Sequence, residues 1–203
     1  MKYLFGASGH AKVIADIIIS IKDYDIIGVF DDNKNFKSFQ NIPFLGKLKP
    51  GSKILNQGEF IIAIGNNKTR KQIVKKLKTT YFTAVHAKSS VSKYSQLGEG
   101  TVVMSNATVN SNTQIGNHCI INTSSVVEHD CKIGDFVHIS PNATITGGVK
   151  IGEGTHVGAG AVIIPNITIG KWCVIGAGSV VIENIPDLTK VVGNPARIIK
   201  NSI

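Results

Sequence analysis

The sequence lacks long apolar runs: no stretch approaches the ~20 consecutive apolar residues of a membrane-spanning helix. Its opening, MKYLFGASGHAKVIADIIISI, has no basic segment followed by an unbroken apolar stretch, because Asp16 interrupts it. Cysteine is also scarce, with three residues in 203. Together these absences predict no membrane association, no signal peptide and a reducing, cytoplasmic location.

Charged and aromatic residues are few, at 17 % and 6 % of the chain, whereas glycine occurs 21 times. This balance favours a β-rich interior of small residues over a helical bundle. The formal net charge is +9, but the lysines are scattered rather than interleaved with aromatics, which predicts no nucleic-acid partner. The one basic run, KTRKQIVKKLK (68–78), is typical of the solvated face of a helix. The positive charge is better explained by the binding of a small anionic ligand, and the alternative is that it serves solubility alone.

A six-residue repeat dominates the second half of the chain. From Val91 to Pro186 the sequence divides into sixteen units without an insertion, such as LGEGTV, IGNHCI and VGAGAV. The first position is always Val, Leu or Ile, and the fifth is always small or β-branched. Three units make eighteen residues, the interval that separates Gly98, Gly116 and Gly134. This pattern predicts a left-handed parallel β-helix with three faces, a little over five coils and a height of roughly 25 Å at ~4.8 Å per coil. Asn and Gly are expected at its strained turns.

The repeat assigns a direction to each reactive side chain. Cys119, Cys131 and Cys173 occupy fifth positions, which predicts small core residues rather than a nucleophile, a disulfide or a metal site. His129 is at a third position and His138 at a sixth, so both are expected to point outward or lie at a corner. His156 follows His138 by eighteen residues and should stack over it, whereas His118 and His86 have no such neighbour. An imidazole beside an acid, as in His129–Asp130, suits general-base catalysis near neutral pH.

The first eighty residues do not show the six-residue repeat. KYLFGASGHAKVIADIIISI indicates a strand, a glycine turn and a helix; DIIGVFDD (25–32) and FIIAIGNN indicate two more strands, and KTRKQIVKKL a second helix. This alternation predicts a Rossmann-like parallel α/β domain over residues 1–80, joined to the β-helix domain over 81–203. The glycine turn, with only Gly6 and Gly9, departs from the full dinucleotide-binding fingerprint. A turn that opens a helix still favours an anion, and acids after the second strand commonly bind ribose hydroxyls, so nucleotide binding is expected here. The tail VVGNPARIIK (191–200) is expected to fold back along the β-helix.

The stretches GASGHAK, AIGNNKTRK, NTSSVVEHDCKIGDFVHISPNA and VGNPAR together resemble the NeuD/PglD-type family of sugar O- and N-acetyltransferases. The similarity covers nearly the whole chain and is greatest to members that N-acetylate UDP-linked 4-amino sugars. It implies a homotrimer, with acetyl-CoA lying between neighbouring prisms and the nucleotide sugar held by the N-terminal domain.

The resemblance also implies roles for single residues. His129 would be the general base, with Asp130, where the family has a glutamate, as its hydrogen-bond partner. His138 would contact the acetyl group of acetyl-CoA. The remaining cofactor positions are Gly147, Ala159 and Ala177. The nucleotide-sugar positions are Ser8, Gly9, His10, Asp31, Asp32, Gly65 and Asn122. The glycine N–H of Gly147 would suit the developing oxyanion, and inward-facing cysteines predict direct transfer without an acyl-enzyme.

Three alternatives remain open. The first keeps acetyl transfer but changes the acceptor, to a sialic acid hydroxyl or to another nucleotide-linked amino sugar such as a perosamine. The second is a non-catalytic trimer that binds sugar nucleotides. The third is a metal-dependent prism of the carbonic-anhydrase kind using His129, His138 and His156, which would leave the N-terminal domain without a role.

Overall fold

The computed structural model describes residues 1–21, 26–32 and 39–201. The N-terminal part is a four-stranded parallel sheet in the order β2-β1-β3-β4. Its elements are β1 (Lys2–Phe5), α1 (Gly9–Ser20), β2 (Ile26–Phe30), a short 3-10 turn (Lys53–Asn56), β3 (Glu59–Ile62), α2 (Asn67–Leu77) and β4 (Thr80–Tyr81). The predicted Rossmann-like domain is therefore confirmed; Asp25, the first residue of the expected second strand, lies outside the described residues.

Helix α1 joins this sheet to the rest of the molecule. Its apolar residues Ile14, Ile17 and Ile18 are buried. They belong to one hydrophobic cluster that also contains Val102 and Ile120 from the second part of the chain. Burying apolar surface on both sides of one helix fixes the two parts against each other.

The second part is the predicted left-handed parallel β-helix, built from strands of two residues. They are β5 (Ala84–Val85), β6 (Ser90–Val91), β7 (Gln96–Leu97), β8 (Val102–Val103), β9 (Thr108–Val109), β10 (Gln114–Ile115), β11 (Ile120–Ile121), β12 (Val126–Val127), β13 (Lys132–Ile133), β14 (His138–Ile139), β15 (Thr144–Ile145), β16 (Lys150–Ile151), β17 (His156–Val157), β18 (Val162–Ile163), β19 (Thr168–Ile169), β20 (Val174–Ile175) and β21 (Val180–Val181). Every pairing between these strands joins residues eighteen apart, such as His138 with His156.

The strands form three flat faces that differ in their outward residues. The face of β7, β10, β13, β16 and β19 carries Lys132 and Lys150 and is called the lysine face. The face of β6, β9, β12, β15, β18 and β21 presents half-buried Val126, Val162 and Val180 and is called the valine face. The face of β5, β8, β11, β14, β17 and β20 lies partly under α1 and is called the covered face.

The β-helix is longer than the predicted five coils. Strand β5 precedes Val91, and β22 (Thr189–Val192) follows Pro186 and pairs in parallel with β20. The covered face is consequently seven parallel strands deep. At the C-terminal end the pattern breaks because Asp187 occupies a first position. At the N-terminal end the unit VHAKSS (85–90) keeps the pattern, but the count began only at Val91.

The corners explain the glycines and asparagines of the repeat. Every sixth residue from Gly100 to Gly178 has a left-handed backbone, which Gly and Asn adopt most readily. The glycines at eighteen-residue intervals have another cause: a Cβ on Gly116 would lie 2.5 Å from Asp135 and one on Gly134 2.8 Å from the backbone of Glu153. Close approach of successive coils requires these glycines.

The interior of the β-helix is filled by the first- and fifth-position side chains, as predicted. Cys119, Cys131 and Cys173 are buried and free, at 0–1 % exposure. Buried hydroxyls at fifth positions are satisfied locally; for example, Thr101 Oγ1 donates to the carbonyl of Gly116 at 2.8 Å.

The tail differs from the expectation that it simply folds back. It first adds β22 to the covered face, and only β23 (Arg197–Asn201) reverses and pairs antiparallel with β22. Within the described residues, no helix has both the length and the apolar character needed to cross a membrane.

Candidate active site

His129 and Asp130 lie at the corner between the valine face and the lysine face, after β12 and before β13. Both side chains are exposed, at 62 % and 58 %. His129 Nδ1 lies 2.8 Å from Asp130 Oδ2. Asp130 takes a left-handed backbone, and Asn112, one coil below, contacts its other carboxylate oxygen at 3.4 Å. These contacts lower the pKa of Asp130, with the hydrogen bond from His129 as the main cause.

Gly147 lies one coil above His129, and the imidazole packs against it. A Cβ at Gly147 would come within 2.7 Å of His129 Cε1 and 2.9 Å of Nε2. In the described chain the N–H of Gly147 donates to no protein acceptor. The corner therefore combines an oriented imidazole with an unused backbone donor, which is the pairing that acyl transfer requires.

A second group of site residues lies on the covered face, in the cleft below the N-terminal domain. The rings of His138 and His156 are stacked, with centroids 4.6 Å apart and 28° between their planes. His10, from the first turn of α1, places its ring 6.5 Å from that of His138. A cavity of about 480 Å³ adjoins this stack and is also lined by Gly65 and Trp172.

The hydrogen bonds of Asn122 determine the tautomer of His138. Asn122 Oδ1 accepts from the N–H of Thr123 at 2.8 Å, so its Nδ2 is the atom facing His138 Nε2 at 3.0 Å. Because an amide nitrogen only donates, Nε2 must accept, and the ring proton is on Nδ1. This Nδ1 is buried without a well-formed hydrogen bond, and the backbone of Gly65 lies beside it.

The imidazoles of this cleft are held neutral. Burial lowers the pKa of His10 to about 4, with a further contribution from the positive charge of Arg70. Burial also lowers the pKa of His138 to about 3, assisted by His156, Arg70 and His10. The pKa of His156 is lowered by the same two causes as that of His10. Neutral rings can both donate and accept, which suits the recognition of a polar substrate.

The glycine turn before α1 has the form of an anion site. Ser8 occupies the N-cap position but its side chain makes no capping bond, and Ser8 and Gly9 are exposed. The Ser8 hydroxyl therefore does not occupy the N–H groups of the first turn. Asp31 accepts a hydrogen bond from the N–H of Ala7 at 2.7 Å, which ties the end of β2 to this turn, and Asp32 is exposed beside it.

One chain brings together only part of the predicted site. His129, Asp130 and Gly147 meet at one corner, and His10, Gly65, Asn122 and His138 meet in the cleft. The predicted cofactor residues Ala159 and Ala177 are exposed at a third place, the corner between the covered and valine faces. The two corners flank the same valine face from opposite sides.

The sequence did not identify two buried residues, Arg70 and His118, that lie where the N-terminal domain meets the β-helix. The run 68–78 is not wholly a solvated helix face, because Arg70 is 1 % exposed. His118, which has no histidine neighbour in the repeat, is 2 % exposed and stacks on Phe136 with ring centroids 5.2 Å apart. Both are buried because α2 packs on the corner of the β-helix that carries His118. This packing is a tertiary feature that the sequence alone does not show.

Among the described residues no group of three His, Cys, Asp or Glu side chains is arranged to hold a metal ion. His138 and His156 also stack face to face, and their Nε2 atoms are engaged by Asn122 and by the hydroxyl of Ser140 at 2.9 Å. Within one chain these two rings do not converge on a common point, as metal ligands must.

The fold and these sites define a hexapeptide-repeat transferase with a Rossmann-like N-terminal domain. The PglD N-terminal domain family matches residues 3–77, and the bacterial transferase hexapeptide (six repeats) family matches 94–129, 112–147 and 148–183. The acetyltransferase domain of PglB from Neisseria gonorrhoeae is 33 % identical, with a TM-score of 0.91 and coverage of 98 % of both chains. The chain belongs to the NeuD/PglD-type family of sugar acetyltransferases.

Two further relatives carry information on ligands. PerB from Caulobacter crescentus, solved with CoA and GDP-perosamine, is 31 % identical with a TM-score of 0.89, covering 98 % of this chain and 97 % of PerB. UDP-N-acetylbacillosamine N-acetyltransferase of Bacillus subtilis is 43 % identical over 110 residues, 50 % of each chain. The chain thus spans about half the length of this curated relative. The PglB domain has also been solved with acetyl coenzyme A.

Proposed function

We propose that the protein is an acetyl-CoA-dependent N-acetyltransferase that modifies the amino group of a nucleotide-linked 4-amino sugar, a UDP-4-amino-4,6-dideoxy sugar in particular. The observation that carries this proposal is the His129–Asp130–Gly147 corner, in which an exposed imidazole is oriented by a carboxylate beside an unused N–H. The relatives that act on nucleotide-linked amino sugars with CoA support it.

His129 would act as the general base. With Nδ1–H donating to Asp130, Nε2 carries the lone pair and can take a proton from the attacking amine. A new C–N bond forms at the acetyl carbonyl carbon while the C–S bond to CoA breaks. The imidazolium then returns its proton to the departing thiolate, so that charge and protons balance. Acetyl-CoA supplies the activated acyl group, and this chain supplies the base and its orientation.

Gly147 would stabilise the charge that develops on the carbonyl oxygen. Its unused N–H is a preset donor, and such a donor typically accounts for about 10²–10³ in kcat. The lack of a side chain at Gly147 also leaves room for the His129 ring. A direct transfer is consistent with this arrangement, since the three cysteines are buried in the core.

The nucleotide sugar would bind at the N-terminal domain. Ser8, Gly9 and His10 would meet the diphosphate through the uncapped start of α1, with Asp31 and Asp32 at the nucleoside. Gly65 and Asn122 would face the sugar in the cleft, where His138 contacts the acetyl group. The free cysteines fit the predicted cytoplasmic location.

A homotrimer would complete the site. The valine face presents three half-buried valines together with Ser and Thr hydroxyls, and it is flanked by the His129 corner on one side and the corner of Ala159 and Ala177 on the other. A second copy packed on this face would bring the base of one chain next to the cofactor residues of its neighbour. None of the outward strand residues of this face is charged, and depletion of charge is typical of the core of subunit interfaces.

A substrate panel tests the proposal. Release of CoA from acetyl-CoA is measured with UDP-4-amino, GDP-4-amino and free sialic acid acceptors, and the acetylated product is identified by mass spectrometry. We expect turnover with the UDP-4-amino sugar. Turnover with sialic acid alone would establish O-acetylation instead, and turnover with the GDP sugar alone would indicate perosamine-type specificity. No turnover with any acceptor, together with binding of the nucleotide sugar, would favour the non-catalytic trimer.

A further inference from the structure

Arg70 is a fully buried cation at the junction of the two domains. It projects from α2, and its side chain is 1 % exposed. Burial lowers its pKa to about 10, so that the guanidinium is still charged at neutral pH. A buried charge is costly unless it is paired, so its surroundings need an explanation.

All five N–H donors of Arg70 are used, and every acceptor is a neutral oxygen. Within the N-terminal domain, Nη1 donates to the carbonyls of Ile64 and Gly65 at 2.9 and 3.2 Å, and Nη2 donates to Asn67 Oδ1 at 2.7 Å. Across the junction, Nε donates to the carbonyl of His118 at 2.8 Å and Nη2 to that of Phe136 at 2.9 Å. The planar guanidinium therefore connects the two domains through hydrogen bonds to both.

The charge has no carboxylate partner among the described residues. Its field is instead felt by the imidazoles of the cleft, since Arg70 contributes to the lowered pKa of His10, His138 and His156. A neutral side chain could not exert this effect. A lysine would keep the charge but would offer three donors in place of the planar fork of five.

The contact with Gly65 connects Arg70 to the candidate site. The carbonyl of Gly65 accepts from Arg70, and its backbone lies beside Nδ1 of His138, whose other nitrogen is held by Asn122. Arg70 thus fixes the loop after β3 at a set distance from the stacked histidines of the covered face.

We propose that Arg70 is a positioning residue for acetyl transfer: its guanidinium holds the Gly65 loop of the nucleotide-sugar domain against the prism, so that the sugar amine is presented to the acetyl group beside His138. This inference rests on the proposed function. It assigns no direct contact between Arg70 and the substrate, because all five of its donors are occupied by the protein.

The test compares Arg70→Lys and Arg70→Gln with the matched control Lys71→Gln. Lys71 is the next residue of α2 and pairs with Glu153 of the prism, but it has no contact with Gly65. The control therefore weakens the same junction without releasing the loop. For each variant kcat, the KM of both substrates and the thermal midpoint are measured, and wild type in the same assay reports on the proposed function itself.

We expect both Arg70 variants to lower kcat by roughly 10²-fold, the effect of about 1 Å of misplacement, while the KM for acetyl-CoA changes less than about threefold. Lys71→Gln should lower the thermal midpoint yet keep kcat within about threefold. If Lys71→Gln and Arg70→Gln lose equal amounts of kcat at equal thermal midpoints, the role of Arg70 is only structural and the proposal is overturned. A wild-type kcat in Arg70→Gln would also overturn it. Inactive wild type would instead refute the proposed function, and this inference with it.

A measurement on wild type tests the contact between the Gly65 loop and His138 if the Arg70 variants do not fold. Asn122 places the His138 proton on Nδ1, the atom beside which Arg70 holds the backbone of Gly65. Long-range ¹H–¹⁵N NMR correlations, assigned by loss of the signals in His138→Gln, report the tautomer directly. An Nδ1–H ring supports the proposal, whereas an Nε2–H or a protonated ring at pH 7 contradicts it.

Discussion

His129 Nδ1 lies 2.8 Å from Asp130 Oδ2, although the two side chains are neighbours in sequence and both are exposed. The left-handed backbone of Asp130 turns its carboxylate back towards the preceding ring. This geometry fixes Nδ1 as the imidazole nitrogen that carries the proton and leaves Nε2 with the lone pair.

Replacing His129 by alanine should strongly lower kcat without affecting the fold. Since the ring is 62 % exposed, its loss leaves no cavity in the core. We expect kcat to fall by about 10²–10⁴, the usual contribution of a general base, with acetyl-CoA binding retained by calorimetry. His86→Ala, at a histidine outside the site, is the control and should keep wild-type kcat. A His129→Ala variant with full turnover would show that the base lies elsewhere.

Asp130→Asn should lower kcat, but less than His129→Ala does. The amide can donate to Nδ1, which shifts the ring proton to Nε2 and blocks the lone pair needed for proton transfer. Asp130→Glu, which restores an acceptor one methylene further out, should recover part of the activity. Steady-state kinetics at saturating acetyl-CoA make this comparison, and wild-type kcat for the asparagine variant would exclude an orienting role.

Gly147→Ala should impair catalysis through His129. The added methyl would lie 2.7 Å from Cε1 of the ring, which must move, while the backbone of Gly147 is not in the left-handed region. Stability should therefore change little and kcat should fall. In a His129→Ala background the same substitution should have no further effect on kcat, because the ring it displaces is gone. An equally large additional loss there would instead show that the methyl acts independently of the His129 ring.

The free energy of unfolding should fall as the pH drops from about 6.5 towards 4. The pKa of His10 and His118 is lowered to about 4 and that of His138 to about 3, from an ordinary value of 6.5. In this window the unfolded chain binds more protons than the folded one, so acid favours unfolding. Urea midpoints at several pH values measure the slope. His118→Phe, which can keep the stack on Phe136 but cannot be protonated, should make the slope shallower.

The cysteines should prove dispensable and unreactive. Burial raises the pKa of Cys119 to about 12 and also raises those of Cys131 and Cys173. In the native protein we expect slow labelling by a thiol reagent at pH 7 and rapid labelling of all three residues in urea. The triple alanine variant should be less stable yet turn over at a rate close to wild type. An acetylated cysteine trapped during turnover would contradict direct transfer.

The repeat made most of the fold predictable. Its first and fifth positions specify the core, its fourth positions the left-handed corners, and its eighteen-residue interval the pairing of His138 with His156. The same rule placed His129 at a corner and the cysteines inside. The α/β domain followed from the alternation of strands and helices.

The features of the site that the sequence did not predict depend on how the two domains pack against each other. Arg70 and His118 appear in the sequence as an ordinary basic residue and a corner histidine, and only the docking of α2 on the prism buries them. The separation of His129 from Ala159 and Ala177 was likewise not evident, because a repeat gives the direction of a side chain within one chain but not its neighbours across subunits.

The reversal at β23 covers the outer edge of β22 on the covered face. Without it, the amides and carbonyls at that edge of β22 would be available for a further parallel strand from another copy. Because β23 runs antiparallel to β22, the edge that it presents does not continue the parallel register of the coils, which disfavours end-to-end growth on this face.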